Sequence, residues 1–323
     1  MTRSSPVPAS GPSLSRRRFL AASGSAALLA GLTPAFPGAA RAAAAEPVRL
    51  AAEYRTLDIG GRAASVFGIR QPDGTSGLFL DPGRRFLVDL ENRVDEPVIV
   101  HWHGQTPPYL LDGVADARRP LIAPGTAARY DFPARPGTHW MHSHHGLQEQ
   151  RLLAAPLIVR TADDLRSDMQ EVTILLHDFT FRDPADVLAE LSGGHGMGHG
   201  MGHGMGHDMG HGTGHGMSGH GMDGHAMPGH AMAGHDLNDV EYDAYLANDR
   251  TLDDPQVVAV ERGGRVRLRV INGASATAFH LDLGELDGTV VAVDGNPVRP
   301  LAGRRFPVSM GQRVDVTVSL PGA

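Results

Sequence analysis

Two short segments constrain this chain more than anything else in it: residues 98–104, V-I-V-H-W-H-G, and residues 139–146, H-W-M-H-S-H-H-G. Side chains on a β-strand alternate between faces, so residues two apart point the same way. His101 and His103 therefore share a face, with Trp102 opposite, and His142 and His144 form a second same-face pair behind Trp140. If both segments are strands, four imidazoles can meet at one point. Neutral imidazole suits copper, zinc, iron or nickel.

The surrounding pattern supplies strands. Residues 48–57, 63–69, 78–80, 86–92, 98–103, 121–132, 137–142 and 154–159 are predicted strands, separated by turn signals such as Gly60-Gly61, Pro124-Gly125 and Pro136-Gly137. Within 86–92 the alternation is clear, with Phe86, Val88 and Leu90 on one face. Residues 161–170 are polar and read as a boundary, after which strands resume at 171–181, 257–260, 265–271, 279–283, 289–293, 306–309 and 313–320. Arg265, Arg267 and Arg269 are expected to point outward. No amphipathic helix is predicted. Short strands with regular turns indicate an all-β sandwich or barrel, and 323 residues suggest two domains, at 43–162 and 163–323.

Residues 1–42 read as an export leader rather than structure. Ser15-Arg16-Arg17-Arg18-Phe19-Leu20 is a twin-arginine pattern, and Ala40-Arg41-Ala42 fits a small-x-small cleavage site. The apolar run at 19–32 is too short for a membrane span. The expected location is periplasmic or extracellular. A net charge of -7 leaves no basic footprint and argues against nucleic acid as a partner. The chain has no Cys, which excludes disulfides, thiolate zinc sites and a blue-copper centre.

Residues 193–235 are a low-complexity tract of glycine, histidine and methionine. Its imidazole and thioether side chains are His195, Met197, His199, Met201, His203, Met205, His207, Met209, His211, His215, Met217, His220, Met222, His225, Met227, His230, Met232 and His235. Glycine at nearly every second position costs a helix about 1 kcal/mol each against Ala, so a disordered insertion is expected. Thioethers favour Cu(I), and imidazoles accept Cu(II) among other metals. The tract reads as an accessory copper loop.

A hydrolytic zinc site usually has three protein ligands and an open position, often with H-E-x-x-H on a helix. Four His donors on two strands fit copper better. H-W-H-G at 101–104, followed by W-M-H-S-H at 140–144, resembles the first-domain copper signature of multicopper oxidases. The likeness runs from about residue 48 to 323 and includes Leu111-Asp112-Gly113, H-D-F-T-F-R-D-P at 177–184, residues 242–254 and V-A-V-D-G-N-P-V-R-P at 291–300. The subgroup it resembles is the bacterial periplasmic copper-tolerance and laccase-like oxidases, built from cupredoxin-like domains. The resemblance implies tandem Greek-key β-sandwich domains of that kind, with the His/Met-rich insertion in the second. It assigns His101 to a type 2 copper and His103, His142 and His144 to type 3 coppers. It places Asp112 near the cluster as a proton relay, although Asp112-Gly113 is also an ordinary turn pair. His139 and His145 fall outside the ligand pattern, Trp102 and Trp140 are expected to pack, and His177 and His280 read as core or edge histidines.

In that family, oxidation of Cu(I) or a phenol at a type 1 copper is coupled to reduction of O2 to water at a trinuclear cluster of eight His. Here four of the eight are present and the type 1 Cys is absent. The expectation is a C-terminally incomplete member, inactive alone, with a complementing C-terminal cupredoxin domain as partner. A second reading is a non-catalytic periplasmic protein that sequesters copper through its His/Met tract.

Overall fold

Apolar alternation builds the first half. In the computed structural model, which describes residues 46–114, 120–193 and 240–322, strands β1 (Val48–Ile59), β2 (Arg62–Arg70), β4 (Arg85–Asn92) and β6 (Ala127–Pro133) form one sheet in the order β2-β1-β4-β6. Strands β3 (Leu78–Leu80), β5 (Val100–His101), β7 (Gly137–Ser143) and β8 (Ala154–Val159) form a second, in the order β3-β8-β7-β5. Phe86, Val88 and Leu90 are buried as their spacing predicts, and they share a core with Val100, Met141, Leu157 and Val159 from the facing sheet. The β1–β4 and β3–β8 pairs run parallel between non-consecutive strands, so the chain crosses between sheets as a sandwich requires. Trp102 sits in this core, its ring 4.7 Å from Phe86 and 4.8 Å from Tyr130.

The second half is a six-stranded sheet, β10-β9-β11-β16-β13-β14, and a two-stranded one, β12-β15. Its strands are β9 (Gln170–Phe179), β10 (Ala244–Ala247), β11 (Arg265–Asn272), β12 (Phe279–Asp282), β13 (Gly288–Val293), β14 (Asn296–Gly303), β15 (Arg305–Val308) and β16 (Arg313–Ser319). Valines from β11, β13, β15 and β16 pack with Phe306 between them. Trp140 of β7 packs with Ala154 and Ile158 on one side and Leu175 and Ile271 on the other, so it joins the two halves.

Several expectations are corrected. Residues 257–260 form no strand: Val257 is 90% exposed, and no strand pairs with this segment. Strands β10 and β14 were not expected. Among the described residues there are two α-helices, α1 (Ala162–Arg166) and α2 (Pro184–Gly193). The first lies in the polar boundary because Thr161 and Asp164 make a reciprocal capping box. The strand expected at 121–132 begins only at Ala127, since the Pro124-Gly125 turn precedes it and Ile122 makes only an isolated bridge to Val98.

The arginine stripe on β11 is the largest correction. Arg265 is exposed, but Arg269 is completely buried and Arg267 is partly so. The face they share is covered by β7 and α1, and three carboxylates neutralise them. Arg269 donates to Thr138 Oγ1 at 2.9 Å, Asp315 Oδ2 at 3.1 Å and Glu171 Oε1, and its Nη2 lies 3.2 Å from Asp164 Oδ2. Arg267 shares Asp315 and Asp164.

The leader at 1–42 and the tract from 194 to 235 lie outside the described residues. Among the described residues, no helix is long and apolar enough to cross a membrane.

Candidate metal centre

Antiparallel pairing of β5 with β7 sets His101 directly opposite His142. The paired strand ends at His101, so His103 lies in the turn beyond it, but Trp140 N still reaches His103 O at 3.4 Å and His144 N reaches Ile99 O at 3.2 Å. The ladder thus continues past both strand ends, and the alternation survives. Ring centroids are 5.6 Å apart for His101–His103 and His101–His142, 5.4 Å for His103–His142, and 5.3 Å from His144 to both His101 and His142. Ligand atoms of His101, His103 and His142 all lie within 4.8 Å of one another. His144, more exposed, sits at the rim of that group.

The rings are held from behind. His101 Nδ1 donates to the Asp112 carbonyl at 2.8 Å, and the Asp112 carboxylate lies 3.6 Å from the same nitrogen. Trp140 stacks on His142 at 4.1 Å and 15°. His103 Nδ1 faces His142 Nε2 at 3.2 Å. The glycine that ends H-W-H-G has φ +91, and a Cβ there would lie 2.4 Å from His139 Nδ1 and 2.6 Å from Arg313 Nη2. No side chain fits that position, which lets the turn carry His103 back over β7.

Burial disfavours the charged forms of His101, His103 and His144. Burial pushes His103 down to about 3, with the Arg313 guanidinium next in effect. Burial also lowers His101, against the opposing Asp112 carbonyl, and lowers His144, with His142 adding to it. Neutral rings with converging nitrogens are what a borderline transition metal binds. The donor set fits copper, and it offers no carboxylate or thiolate.

Two family models described as "Multicopper oxidase" match residues 61–164 and 170–322. The chain belongs to the multicopper oxidase family. Membership of the multicopper oxidases makes copper the family cofactor and oxidoreduction the family chemistry. The chain is 28% identical to a copper resistance protein A homolog of Pseudomonas syringae pv. tomato, over 94% of this chain and 54% of that one. It is 29% identical to copper resistance protein A of Escherichia coli, over 82% and 46%. The multicopper oxidase MmcO of Mycobacterium tuberculosis is 28% identical, over 93% and 57%. The chain therefore spans about half the length of these curated relatives. A crystal structure of blue copper oxidase from Nitrosomonas europaea matches with a TM-score of 0.61 at 21% identity, covering 84% of this chain and 75% of that one. At that identity the likeness shows the fold, here that of multicopper oxidases with cupredoxin-like sandwich domains.

The remaining histidines behave differently. His139 is buried behind the cluster, with Nε2 donating to Pro136 O at 3.1 Å. His177 is buried and donates Nδ1–H to Gly273 O at 2.9 Å, whereas His280 is exposed. Two residues at the site gave no sequence signal. Glu149 lies 2.8 Å from His142 Nδ1, and Arg313, from β16, lies beside Gly104 and His103. Neither falls at a strand spacing from the ligands, and Arg313 is more than 150 residues away.

His139 yields a stability prediction. Burial holds its folded value at about 4, below the ordinary 6.5. The unfolded chain therefore binds more protons between these values, and stability falls as pH drops from about 6.5 toward 4, by about 3 kcal/mol from this ring. Urea unfolding of the metal-free chain across that range should show the loss. His139→Gln should flatten the pH slope by about one proton, and an unchanged slope would contradict this assignment.

Proposed function

We propose that His101, His103, His142 and His144 are the first-domain half of a trinuclear copper centre in an exported copper-tolerance oxidase. The observation that carries this is the convergence of three imidazoles, with ligand atoms within 4.8 Å of one another, in a member of the multicopper oxidases. In this reading His101 holds the type 2 copper and the other three hold type 3 coppers. Domains at 43–162 and 163–323 carry the site and its support. Copper bound there would supply the one-electron steps that couple oxidation of Cu(I) or a phenol to reduction of O2 to water. The chain's own groups orient the ligands: the Asp112 carbonyl fixes His101, and Trp140 fixes the plane of His142. In this reading the Asp112 carboxylate, 3.6 Å from His101 Nδ1, would serve as the proton relay of the cluster. The type 1 copper and the four other His would come from a complementing C-terminal cupredoxin domain, and the protein would work in the periplasm or outside the cell.

The second reading is copper sequestration. It is favoured by the alternation of His and Met in the tract at 193–235, which no spacer requires.

Copper retained by the full chain against a competing chelator tests both. The double variant H103A/H142A should lose the copper held at the cluster while the tract still binds. Deleting 193–235 should leave the cluster copper in place. If only that deletion removes chelator-resistant copper, sequestration is the correct reading. Copper-loaded wild-type chain should consume negligible O2 with Cu(I) or a phenol, and robust turnover would overturn the assignment of half a centre.

A further inference from the structure

Glu149 lies on no strand. It sits in the turn that follows β7, and that turn is pinned from within. Gln148 is buried, donates Nε2–H to Pro97 O at 2.9 Å, and accepts from Ser143 Oγ at 2.7 Å. Leu152 N closes the turn on Glu149 O at 2.9 Å. The Glu149 backbone is thereby held beside β7, and its Oε2 lies 2.8 Å from His142 Nδ1. The Ser143 carbonyl lies 3.0 Å from the same nitrogen.

A neutral imidazole carries one proton on one of two nitrogens, and its hydrogen bonds decide which. Two acceptors crowd His142 Nδ1, and both are acceptor-only oxygens. A bare Nδ1 would set its lone pair against a carboxylate and a carbonyl. In the neutral ring the proton therefore belongs on Nδ1, which leaves Nε2 a free lone pair directed at the cluster, 3.2 Å from His103 Nδ1. The Ser143 carbonyl comes from the adjacent residue of the same strand. The carboxylate is the acceptor added by the turn.

We propose that Glu149 is a positioning residue for His142: its carboxylate, beside the Ser143 carbonyl that accepts the hydrogen bond, favours the proton on Nδ1 and so the tautomer in which Nε2 can donate to a metal. The metal half of this statement rests on the copper reading above, whereas the tautomer stands without any metal. Partners of this kind behind a ligating imidazole both orient the ring and raise its basicity.

The test begins with the metal-free full chain, labelled with 15N at histidine. Long-range 1H–15N spectra report which ring nitrogen is protonated, and the signal lost in H142A identifies His142. Wild type and E149Q, which keeps an acceptor oxygen, should show protonated Nδ1 alone. E149L and E149A, left with the Ser143 carbonyl alone, should shift the two ring nitrogens part of the way toward the average of both tautomers. The side chain is 25% exposed, so these replacements are compatible with folding, and circular dichroism checks it. Protonated Nε2 in wild type, or unaltered tautomer in both E149L and E149A, overturns the proposal. With copper alone as probe and a competing chelator, E149L should weaken retention at the cluster by about 10- to 100-fold, and E149Q should restore most of it. If H142A leaves copper retention unchanged, the copper reading fails, and the metal-free spectra still decide the role of Glu149.

Discussion

Arg269→Met is expected to destabilise the chain by about 3–5 kcal/mol, a large part of the stability of a typical domain. Arg269 is fully buried and donates to Thr138, Glu171 and Asp315. Removing the guanidinium strips a partner from buried Asp315 and from part-buried Glu171, which keeps Arg160, and the penalty for an under-paired buried charge is much larger than the net gain from the pair. Arg267 would still hold one oxygen of Asp315, at 2.6 Å, so the loss is partial rather than total. Arg269→Lys keeps the charge but not the planar fork, and should fall between wild type and the Met variant. The urea midpoint is the readout. An Arg269→Met chain as stable as wild type would mean that the three carboxylates are satisfied without it. The network also reaches the metal centre, because Thr138 lies on β7 four residues before His142, and Thr138 Oγ1 donates to Asp315 Oδ1 at 2.6 Å. Loosening it should lower copper retention along with stability.

Gly113→Ala is the second large effect. Gly113 has φ +78, and a Cβ there would lie 1.8 Å from Val100 O and 2.8 Å from His101 Cα. Both obstacles are backbone, so neither can swing aside. The positive φ alone costs on the order of 1–3 kcal/mol for a residue with a side chain, and the clash must also push residues 112–113 off β5. That movement breaks the 2.8 Å bond from His101 Nδ1 to the Asp112 carbonyl. The variant should melt several degrees below wild type and hold cluster copper about 10- to 100-fold more weakly. Gly60→Ala is the control: its φ is +61, but a Cβ there meets nothing within 4 Å. It should cost only the backbone term and leave copper binding intact. Equal effects from the two substitutions would show that contact with β5 is irrelevant.

The histidine quartet was legible because its cause is local. Alternation is a property of two successive peptide units, so His101 with His103, and His142 with His144, could be paired by spacing alone. It held even where the paired strand ended at His101. Most strands of the first sandwich were legible for the same reason, through Phe86, Val88 and Leu90. Residues 257–260 show where the reasoning stops. Four residues rich in valine satisfy β propensity, but a strand also needs a neighbouring strand to bond with, and propensity carries no information about that.

The H-x-H spacing and the absence of cysteine were thus determined by the sequence alone: which four imidazoles could meet, and which copper site these residues could not build. The tertiary structure alone decided what stands behind them. Burial of Arg269 depends on partners up to 131 residues away, as the Thr138 bond shows. The acceptors around His142 Nδ1 include a carboxylate delivered by a turn. Solvent exposure and hydrogen-bond partners are properties of the packed chain, and a strand pattern reads outward or inward only once the layer lying against it is known.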